Sequence, residues 1–480
     1  MSTEKEKQAD SHPGNTTQRT HQDATPEYHP DIGLGDTKPI NNNAQGGVFG
    51  GDNGENYRTM SRTNALMALL SNQFGIGILS VPETLKTLGL IPGLIFIIGM
   101  GPVAWYGGYL LYEFVCRYRH VSHIADIMYI VGGRYWGGIV GIFFVILVVS
   151  TSSSVVVTMS IALNTITDHS VCTVGYIGIA CLMCWLICVP RTAKFVAQTG
   201  IPTCLSIVAA ILTVMISLCV DGPQQAPEGW VRKIELVRSP SFRDGFTACL
   251  RVIFAYAGHF SFVSFMAEMR DPEKDFPFAL TGLYCCSTVL FTTVGAVIYC
   301  LAGEYTTSPA LGSASALSAK IAYGLANPAI ITGGLGAGHV GIKYVYIHVM
   351  QWIKAADQIT ANTSKSWSVW LSCVTVFWIL TFIIASSVPV FDSIISVCSA
   401  TTFAWFSYGL GNLAWFHLYQ GHLFDNWRRI IFCCINVGLL MFTLLINSAC
   451  LWASITELLD IFNDPDASVR GAFDCGDNSL

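Results

Sequence analysis

Uncharged or nearly uncharged segments of about 20 residues recur along the chain from residue 63 to residue 453. A segment of this length crosses the hydrocarbon core of a bilayer as one α-helix. We therefore predict an all-α, polytopic membrane protein with eleven transmembrane helices. The predicted spans are 63–85, 90–112, 139–163, 172–190, 195–220, 246–267, 280–303, 321–342, 367–387, 391–416 and 430–453.

The two ends of the chain lack this apolar pattern. Residues 1–58 are rich in Asn, Gly, Thr, Gln and Asp and nearly free of large apolar side chains, so they cannot bury enough surface to fold. We predict a disordered cytosolic tail over 1–58, a transmembrane domain over 59–455 and a short acidic, non-cytosolic tail over 456–480. Lysines and hydroxyl residues of the first tail are candidates for regulatory ubiquitination or phosphorylation, and an unmodified solvated tail is the alternative.

Composition supports a protein embedded in the lipid bilayer, because 52% of the residues are hydrophobic, 12% are charged and the mean hydropathy is +0.51. No Ser/His/Asp set, metal-ligand quartet or phosphate-binding loop is evident, so we expect neither an enzyme nor a cofactor or metal site. No basic patch indicates nucleic-acid binding.

The 17 cysteines lie mostly inside the predicted spans and are expected to be apolar filler. Cys181 and Cys184 have a metal-ligand spacing but no second pair. Only Cys172, Cys219 and Cys475 lie near the predicted non-cytosolic surface, where two of them could form a disulfide.

Lys and Arg residues in the loops predict the orientation, because loops rich in them stay in the cytosol. With the N-terminus inside, the cytosolic loops hold twelve such residues: Arg117, Arg119, Arg134, Arg191, Lys194, Arg270, Lys274, Lys343, Lys354, Lys365, Arg428 and Arg429. The opposite loops hold six: Lys86, Arg232, Lys233, Arg238, Arg243 and Lys320. We expect a cytosolic N-terminus.

The first span contains residues that interrupt a helix. From Asn72 to Pro82 it reads NQFGIGILSVP, with two glycines and a proline. A break at membrane depth frees backbone N–H and C=O groups, which are tolerated there only inside the protein or beside a wet cavity. Transporters hold their substrates between half-helices of this kind.

The sixth span contains a second interruption. It reads FAYAGHF from Phe254 to Phe260 and ends in EMRDP, which begins at Glu268. The two interrupted spans are five spans apart. An inverted repeat of five helices, with the first helix of each half broken, predicts that spacing.

Four strings are informative together: GIGILSVP from Gly75, FAYAGH from Phe254, EMRDP from Glu268 and FPFAL from Phe276. They resemble the amino acid/auxin permease family, specifically its fungal neutral and aromatic amino acid permeases of the methyltryptophan-resistance type. The resemblance covers residues 60 to 455. It implies a LeuT-like core and coupling to an ion gradient, with the proton as the usual ion in fungi.

The breaks supply candidate contacts for the backbone of an amino acid. A half-helix N-terminus carries a partial positive charge and free N–H groups that suit a carboxylate, whereas freed carbonyls suit an ammonium group. The expected contacts are Gly75, Ile76, Gly77, Ala255, Ala257 and Gly258. The alternative is that the glycines only pack against a neighbouring helix.

Aromatic side chains near the breaks are candidate walls for a large neutral side chain. Phe74, Phe254 and Tyr256 fill this role, and packing in the core is the alternative for each. In the third span, the hydroxyl-rich stretch 150–158 either contacts substrate or ion or bonds back to its own helix.

Three titratable residues are candidates for coupling or gating. His259 titrates near neutral pH and suits a proton carrier, and a neutral histidine bonded to the broken backbone is the alternative. Glu268 lies near the predicted cytosolic exit, where it relays a proton or forms a gate with a Lys or Arg. Glu83 lies in the outer half, where it is either a coupling group or a solvated helix-end carboxylate.

These features predict a secondary active transporter that moves neutral aliphatic and aromatic amino acids into the cytosol by proton symport. We expect it in the plasma membrane. A vacuolar exporter with the same fold, and a receptor-like amino acid sensor without net transport, are the alternatives.

Overall fold

The computed structural model describes residues 60–75, 77–191, 196, 198–227, 229–387, 402–463 and 473–478. The predicted N-terminal tail, most of the predicted C-terminal tail and the start of the tenth predicted span lie outside the described residues.

The described part of the chain is almost entirely helical. Its α-helices are α1 (Arg62–Gln73), α2 (Gly77–Leu88), α3 (Leu90–Arg117), α4 (Asp126–Val131), α5 (Gly133–Thr167), α6 (Thr173–Cys188), α7 (Gly200–Val220), α8 (Phe242–Ala255), α9 (His259–Glu268), α10 (Pro272–Ala302), α11 (Ala316–Trp352), α12 (Ser364–Ser387), α13 (Leu410–Leu418), α14 (Trp427–Leu445) and α15 (Leu451–Asn463). Two π-helical turns, Trp405–Gly409 and Ile446–Cys450, precede α13 and α15.

Each predicted span except the tenth coincides over most of its length with a described helix or pair of helices, and the tenth is described only from residue 402. Seven described spans are long and apolar enough to cross a membrane, and the bent pair α1 and α2 makes an eighth. Of the others, α6 has 16 residues, and α11 has 37 residues but is rich in small ones. The prediction of an all-α, multi-span protein is confirmed.

Small residues of α11 bring it close to α5. A Cβ added at Gly341 would lie 2.5 Å from Val148 Cγ2, and one added at Gly334 would lie 3.0 Å from Val155 Cγ1. Any side chain at these positions would push the two helices apart. The glycines that weaken the helix propensity of the eighth span therefore allow close helix packing, as small residues do in membranes.

Residues 473–478 are fixed to the start of α6 and to the end of α12. A disulfide joins Cys172 to Cys475, with their Cα atoms 4.6 Å apart. The Thr173 hydroxyl donates to the Gly476 carbonyl over 2.6 Å, and the Phe473 N–H donates to the Ser386 carbonyl over 2.9 Å. Of the three candidate cysteines, the structure therefore pairs Cys172 with Cys475, whereas Cys219 is a free thiol.

The predicted loop position of Lys343 is wrong. Lys343 lies inside α11, which ends at Trp352, ten residues (352 minus 342) past the predicted end of that span. Its side chain is only 4% exposed and forms an ion pair with Glu268. The charge suggested a loop, but a buried partner allows the helix to continue through it. Without Lys343, the predicted cytosolic loops still hold eleven Lys and Arg residues against six.

Candidate functional site

The two predicted helix breaks are present and lie against each other. The axes of α1 and α2 differ by 51°, and α1 ends where the Phe74 N–H donates to the Leu70 carbonyl over 2.8 Å. Residues 256–258 separate α8 from α9. A Cβ added at Gly77 would lie 2.7 Å from Ala255 Cα, so only glycine permits this approach of α2 to α8.

A cavity of about 40 Å³ lies between the breaks. It is lined by Asn72, Gln73, Gly77, Thr151, Val155, Phe254, Ala255, Ala257, Gly258, Phe260, Gly333 and Phe403. Pockets that enclose organic ligands usually exceed about 300 Å³. The walls must therefore move apart before a molecule the size of an amino acid can enter.

The cavity combines helix ends with a wall that carries no charge. The C-terminal end of α1 and the N-terminal end of α2 meet there, as do the corresponding ends of α8 and α9. N-terminal ends carry a partial positive charge and C-terminal ends a partial negative charge. None of the described lining residues has an ionisable side chain. Such a site suits a zwitterion with an uncharged side chain.

Three of the predicted binding residues, Gly77, Phe254 and Gly258, line the cavity, as do Ala255 and Ala257. Ile76 lies outside the described residues.

Gly75, Phe74 and Tyr256 lie outside the cavity lining. A Cβ at Gly75 would be in ordinary contact with the Gly333 backbone, 3.4 Å from its Cα atom, which favours the packing alternative for this glycine.

Phe74 and Tyr256 pack in the core instead of forming the cavity wall. The Phe74 ring meets Phe291 edge to face, with centroids 6.2 Å apart. The Tyr256 hydroxyl donates to the Ile97 carbonyl over 3.1 Å and lies 3.2 Å from the Thr288 hydroxyl. The prediction that both rings form the wall is corrected, because each turns toward a neighbouring helix.

Sequence reasoning missed two aromatic wall residues, Phe260 and Phe403. The Phe403 ring packs against Phe254 at 5.2 Å between centroids and against Phe260 at 6.2 Å. Phe260 is the last residue of the FAYAGHF sequence at the second break and could have been found there. Phe403 comes from the tenth span, where no sequence signal distinguishes it from other aromatic residues.

Two amides, Asn72 and Gln73, were also missed, although they directly precede the first break in the sequence NQFGIGILSVP. The Asn72 amide nitrogen donates to the Ser261 hydroxyl over 3.2 Å, and that of Gln73 donates to the Ser287 hydroxyl over 3.1 Å. Adjacent amides directly before a predicted break were the available signal.

The hydroxyl-rich stretch of the third span mostly bonds back to its own helix. Thr151 donates to the Leu147 carbonyl over 2.8 Å and Ser153 to the Val149 carbonyl over 2.9 Å. Thr151 nevertheless lines the cavity. Its hydroxyl hydrogen is used within α5, so it can offer the cavity only an acceptor lone pair.

His259 is fully buried next to the cavity lining, at the first position of α9. Its Nε2 lies 2.8 Å from the Ala104 carbonyl and 3.1 Å from the Tyr284 hydroxyl. A carbonyl only accepts hydrogen bonds, so Nε2 carries a hydrogen and Nδ1 is the position for an additional proton. The contact is with helix α3 and not with the broken backbone that the sequence suggested.

One ion pair and two backbone hydrogen bonds surround Glu268, at the end of α9. Glu268 is 3% exposed and pairs with Lys343. Beside it, the Met60 N–H donates to the Glu268 carbonyl over 3.2 Å, and the Arg270 N–H donates to the Met60 carbonyl over 3.1 Å. The start of the described chain is thereby fixed to the end of α9.

His123 lies in the connection between α3 and α4 and is buried against the ring of Tyr344, the residue after Lys343. The two ring centroids are 5.4 Å apart. Burial, and then electrostatic interaction with His348 and Lys343, lower the pKa of His123 to about 3. His123 therefore stays neutral near pH 7 and does not supply a titrating charge at this position.

Glu83 lies in α2, away from the cavity lining. Its carboxylate is 3.5 Å from the Lys86 ammonium group, and its side chain is 16% exposed. Lys86 also donates to the Thr306 carbonyl over 2.9 Å. These contacts place Glu83 in a local ion pair within α2, five residues before the helix ends at Leu88, and not in a solvated helix-end position.

Residues 58–456 match the family described as "Transmembrane amino acid transporter protein". A "Transmembrane transporter" of Fusarium pseudograminearum is 26% identical over 456 residues, 94% of this chain and 92% of that protein. An "N amino acid transport system protein" of Neurospora crassa is 27% identical over 404 residues, 83% of this chain and 84% of that protein.

Two solved structures share the fold. MhsT in complex with L-phenylalanine has a TM-score of 0.53 at 12% identity and covers 85% of this chain and 99% of its own. A Na⁺-coupled sialic acid symporter in a substrate-bound, outward-open state has a TM-score of 0.50 at 13% identity and covers 84% and 90%. Together with the broken first and sixth spans, this likeness confirms the predicted LeuT-like fold.

Proposed function

The chain belongs to the transmembrane amino acid transporter family, and on that premise we propose that it is a secondary active symporter for neutral amino acids with aliphatic or aromatic side chains. Membership of this family makes it a multi-span membrane transporter of amino acids and not an enzyme. The choice of substrate, the coupling ion and the direction of transport are proposals.

One observation carries the choice of substrate: the described cavity lining has helix ends for the carboxylate and ammonium groups but no ionisable side chain. Val155 and the rings of Phe254, Phe260 and Phe403 provide apolar surface for a large neutral side chain. The charge of a lysine or aspartate side chain would have to enter this apolar surface without a partner of opposite charge, which is costly in a low-dielectric site. The Neurospora relative is named as an amino acid transport protein, and the MhsT structure holds L-phenylalanine, a neutral aromatic amino acid.

The position of His259 beside Gly258, at the start of α9, supports the proposal of proton coupling. The partial positive charge of a helix N-terminus opposes a protonated imidazole. A substrate carboxylate bound at the same helix end offsets that opposition. Substrate and proton therefore favour each other's binding, with the proton on Nδ1, and the loaded carrier is the form that reorients.

Glu268 and Lys343 form the gate on the cytosolic side in this proposal. The backbone contacts of Met60 close the same side. Release of substrate inward requires these contacts to separate, whereas they hold while the site is open to the outside.

The proposed orientation places the N-terminus in the cytosol and the C-terminus outside it. The Cys172–Cys475 disulfide supports this, because disulfides persist in oxidising compartments and are rare in the cytosol. We place the protein in the plasma membrane, with the vacuolar membrane as the alternative, and we propose the N-terminal tail as the site of any regulatory ubiquitination or phosphorylation.

Competition for uptake tests the choice of substrate. Radiolabelled leucine is supplied to vesicles that contain the purified protein, with an excess of unlabelled phenylalanine, lysine or aspartate. Phenylalanine should compete far better than either charged amino acid. Equal competition by lysine would refute the neutral site and indicate a carboxylate near the substrate side chain.

A further inference from the structure

The Gln73 carboxamide is held in one orientation at the edge of the cavity. Gln73 is the last residue of α1, and its side chain is buried, 5% exposed. The amide nitrogen donates to the Ser287 hydroxyl of α10 over 3.1 Å. This bond turns the amide oxygen, Oε1, away from α10.

Oε1 has no hydrogen-bond donor among the described residues, although it is buried. A buried acceptor without a donor is destabilising and rare in folded proteins, so such an atom requires an explanation. Gln73 lines the cavity, and so does Gly258 opposite it. A Cβ at Gly258 would lie 3.0 Å from Oε1 and would cover it. Glycine at this position therefore leaves the side of Oε1 that faces Gly258 uncovered, so a donor can reach it once the cavity widens.

The surroundings of Oε1 favour a cation as its donor. The C-terminal end of α1 carries a partial negative charge, and an ammonium group has three N–H donors. We propose that Gln73 Oε1 accepts a hydrogen bond from the α-ammonium group of the substrate and so makes that group a condition of tight binding. This inference rests on the proposed function and adds the residue that recognises the amine.

The test compares each amino acid with its analogue that lacks the amine: L-phenylalanine with 3-phenylpropionate, and L-leucine with 4-methylpentanoate. The concentration of each that halves uptake of labelled leucine is measured in vesicles, for wild type and for Gln73→Met. The methionine keeps the approximate length of the side chain and removes the amide. We expect preference for the amino acid over the analogue to fall about 10- to 100-fold, because a hydrogen bond to a charged group is lost.

Gln73→Glu keeps an acceptor at the same place and should preserve the preference. Gly258→Ala should lower it as Gln73→Met does, because its methyl group covers Oε1. Ser71→Ala is the matched control: the Ser71 hydroxyl donates to the Ala68 carbonyl within the same helix, over 2.9 Å. It should leave the preference unchanged.

Provided that wild type transports amino acids, two results would overturn the inference. The first is an unchanged preference for the amino acid in Gln73→Met. The second is a loss of preference in Gln73→Glu as large as that in Gln73→Met, which would mean that the amide nitrogen faces the cavity and binds the carboxylate. If Gln73→Met does not reach the vesicles, Gly258→Ala decides the matter by the same ratio. Failure of wild type to take up any amino acid would refute the proposed function itself.

Discussion

Substitution of Gly77 is the most direct perturbation of the contact between the two breaks. A Cβ at this position would lie 2.7 Å from Ala255 Cα and 3.3 Å from Ala255 Cβ, and ordinary contact begins at 3.4 Å. Gly77→Ala therefore requires α2 and α8 to separate by about 0.7 Å (3.4 minus 2.7). Overpacking of this kind costs about 1–3 kcal/mol. If the substrate-bound form alone carries this cost, the affinity for the amino acid falls about 5- to 140-fold.

The assay is the concentration dependence of leucine uptake, normalised to the amount of protein inserted in the vesicles. Gly77→Val, with a branched side chain, should abolish transport without preventing insertion. Gly99→Ala is the control, because a Cβ there meets nothing within 4 Å. Adding Ala255→Gly should restore little, since the closest clash is with a backbone atom. Wild-type kinetics for Gly77→Ala would show that the substrate-bound form does not need this close contact of α2 with α8.

Three further predictions concern closure, the disulfide and coupling. Glu268→Gln removes the charged partner of Lys343, and breaking a buried ion pair costs about 3–5 kcal/mol, so uptake should fall. The double variant Glu268→Lys/Lys343→Glu should partly restore uptake, and no rescue would count against the gate. Cys172→Ser and Cys475→Ser should lower the thermal stability of the purified protein equally, by about 2–4 kcal/mol, and additive losses in the double variant would disprove the bond. His259→Gln should remove the pH-gradient dependence of uptake and spare substrate exchange; unchanged pH dependence would make His259 structural.

The helix breaks could be predicted because their cause is local. Two glycines before a proline disfavour a continuous helix whatever surrounds them, and the interruption at Gly258 recurs five spans later, as an inverted repeat requires. The structure places both breaks where the sequence predicts them.

The walls of the cavity could not be predicted in the same way, because the direction of a side chain depends on the neighbouring helices. Phe74 and Phe254 are equally close to a break in sequence, yet Phe74 packs on Phe291 and Phe254 lines the cavity. Phe403 reaches the site only through the folded arrangement of the tenth span.

Lys343 and Gln73 show a second reason why parts of the site could not be predicted from the sequence: their properties depend on residues that are distant in the chain. A charge usually ends a predicted span, but the buried partner that keeps Lys343 inside α11 is 75 residues away in the sequence. The open acceptor of Gln73 becomes visible only when the Ser287 hydroxyl is seen to hold the other half of the amide. Both properties belong to pairs of residues that are distant in the chain.

The central claim is that this protein accumulates neutral amino acids with protons. Its most direct test is uptake of radiolabelled leucine and phenylalanine into vesicles of purified protein under an imposed pH gradient, acidic outside, with and without sodium. We predict accumulation that needs the pH gradient, does not need sodium and disappears when a protonophore collapses the gradient. Uptake that requires sodium and ignores the pH gradient, or binding without accumulation under either gradient, would contradict the account.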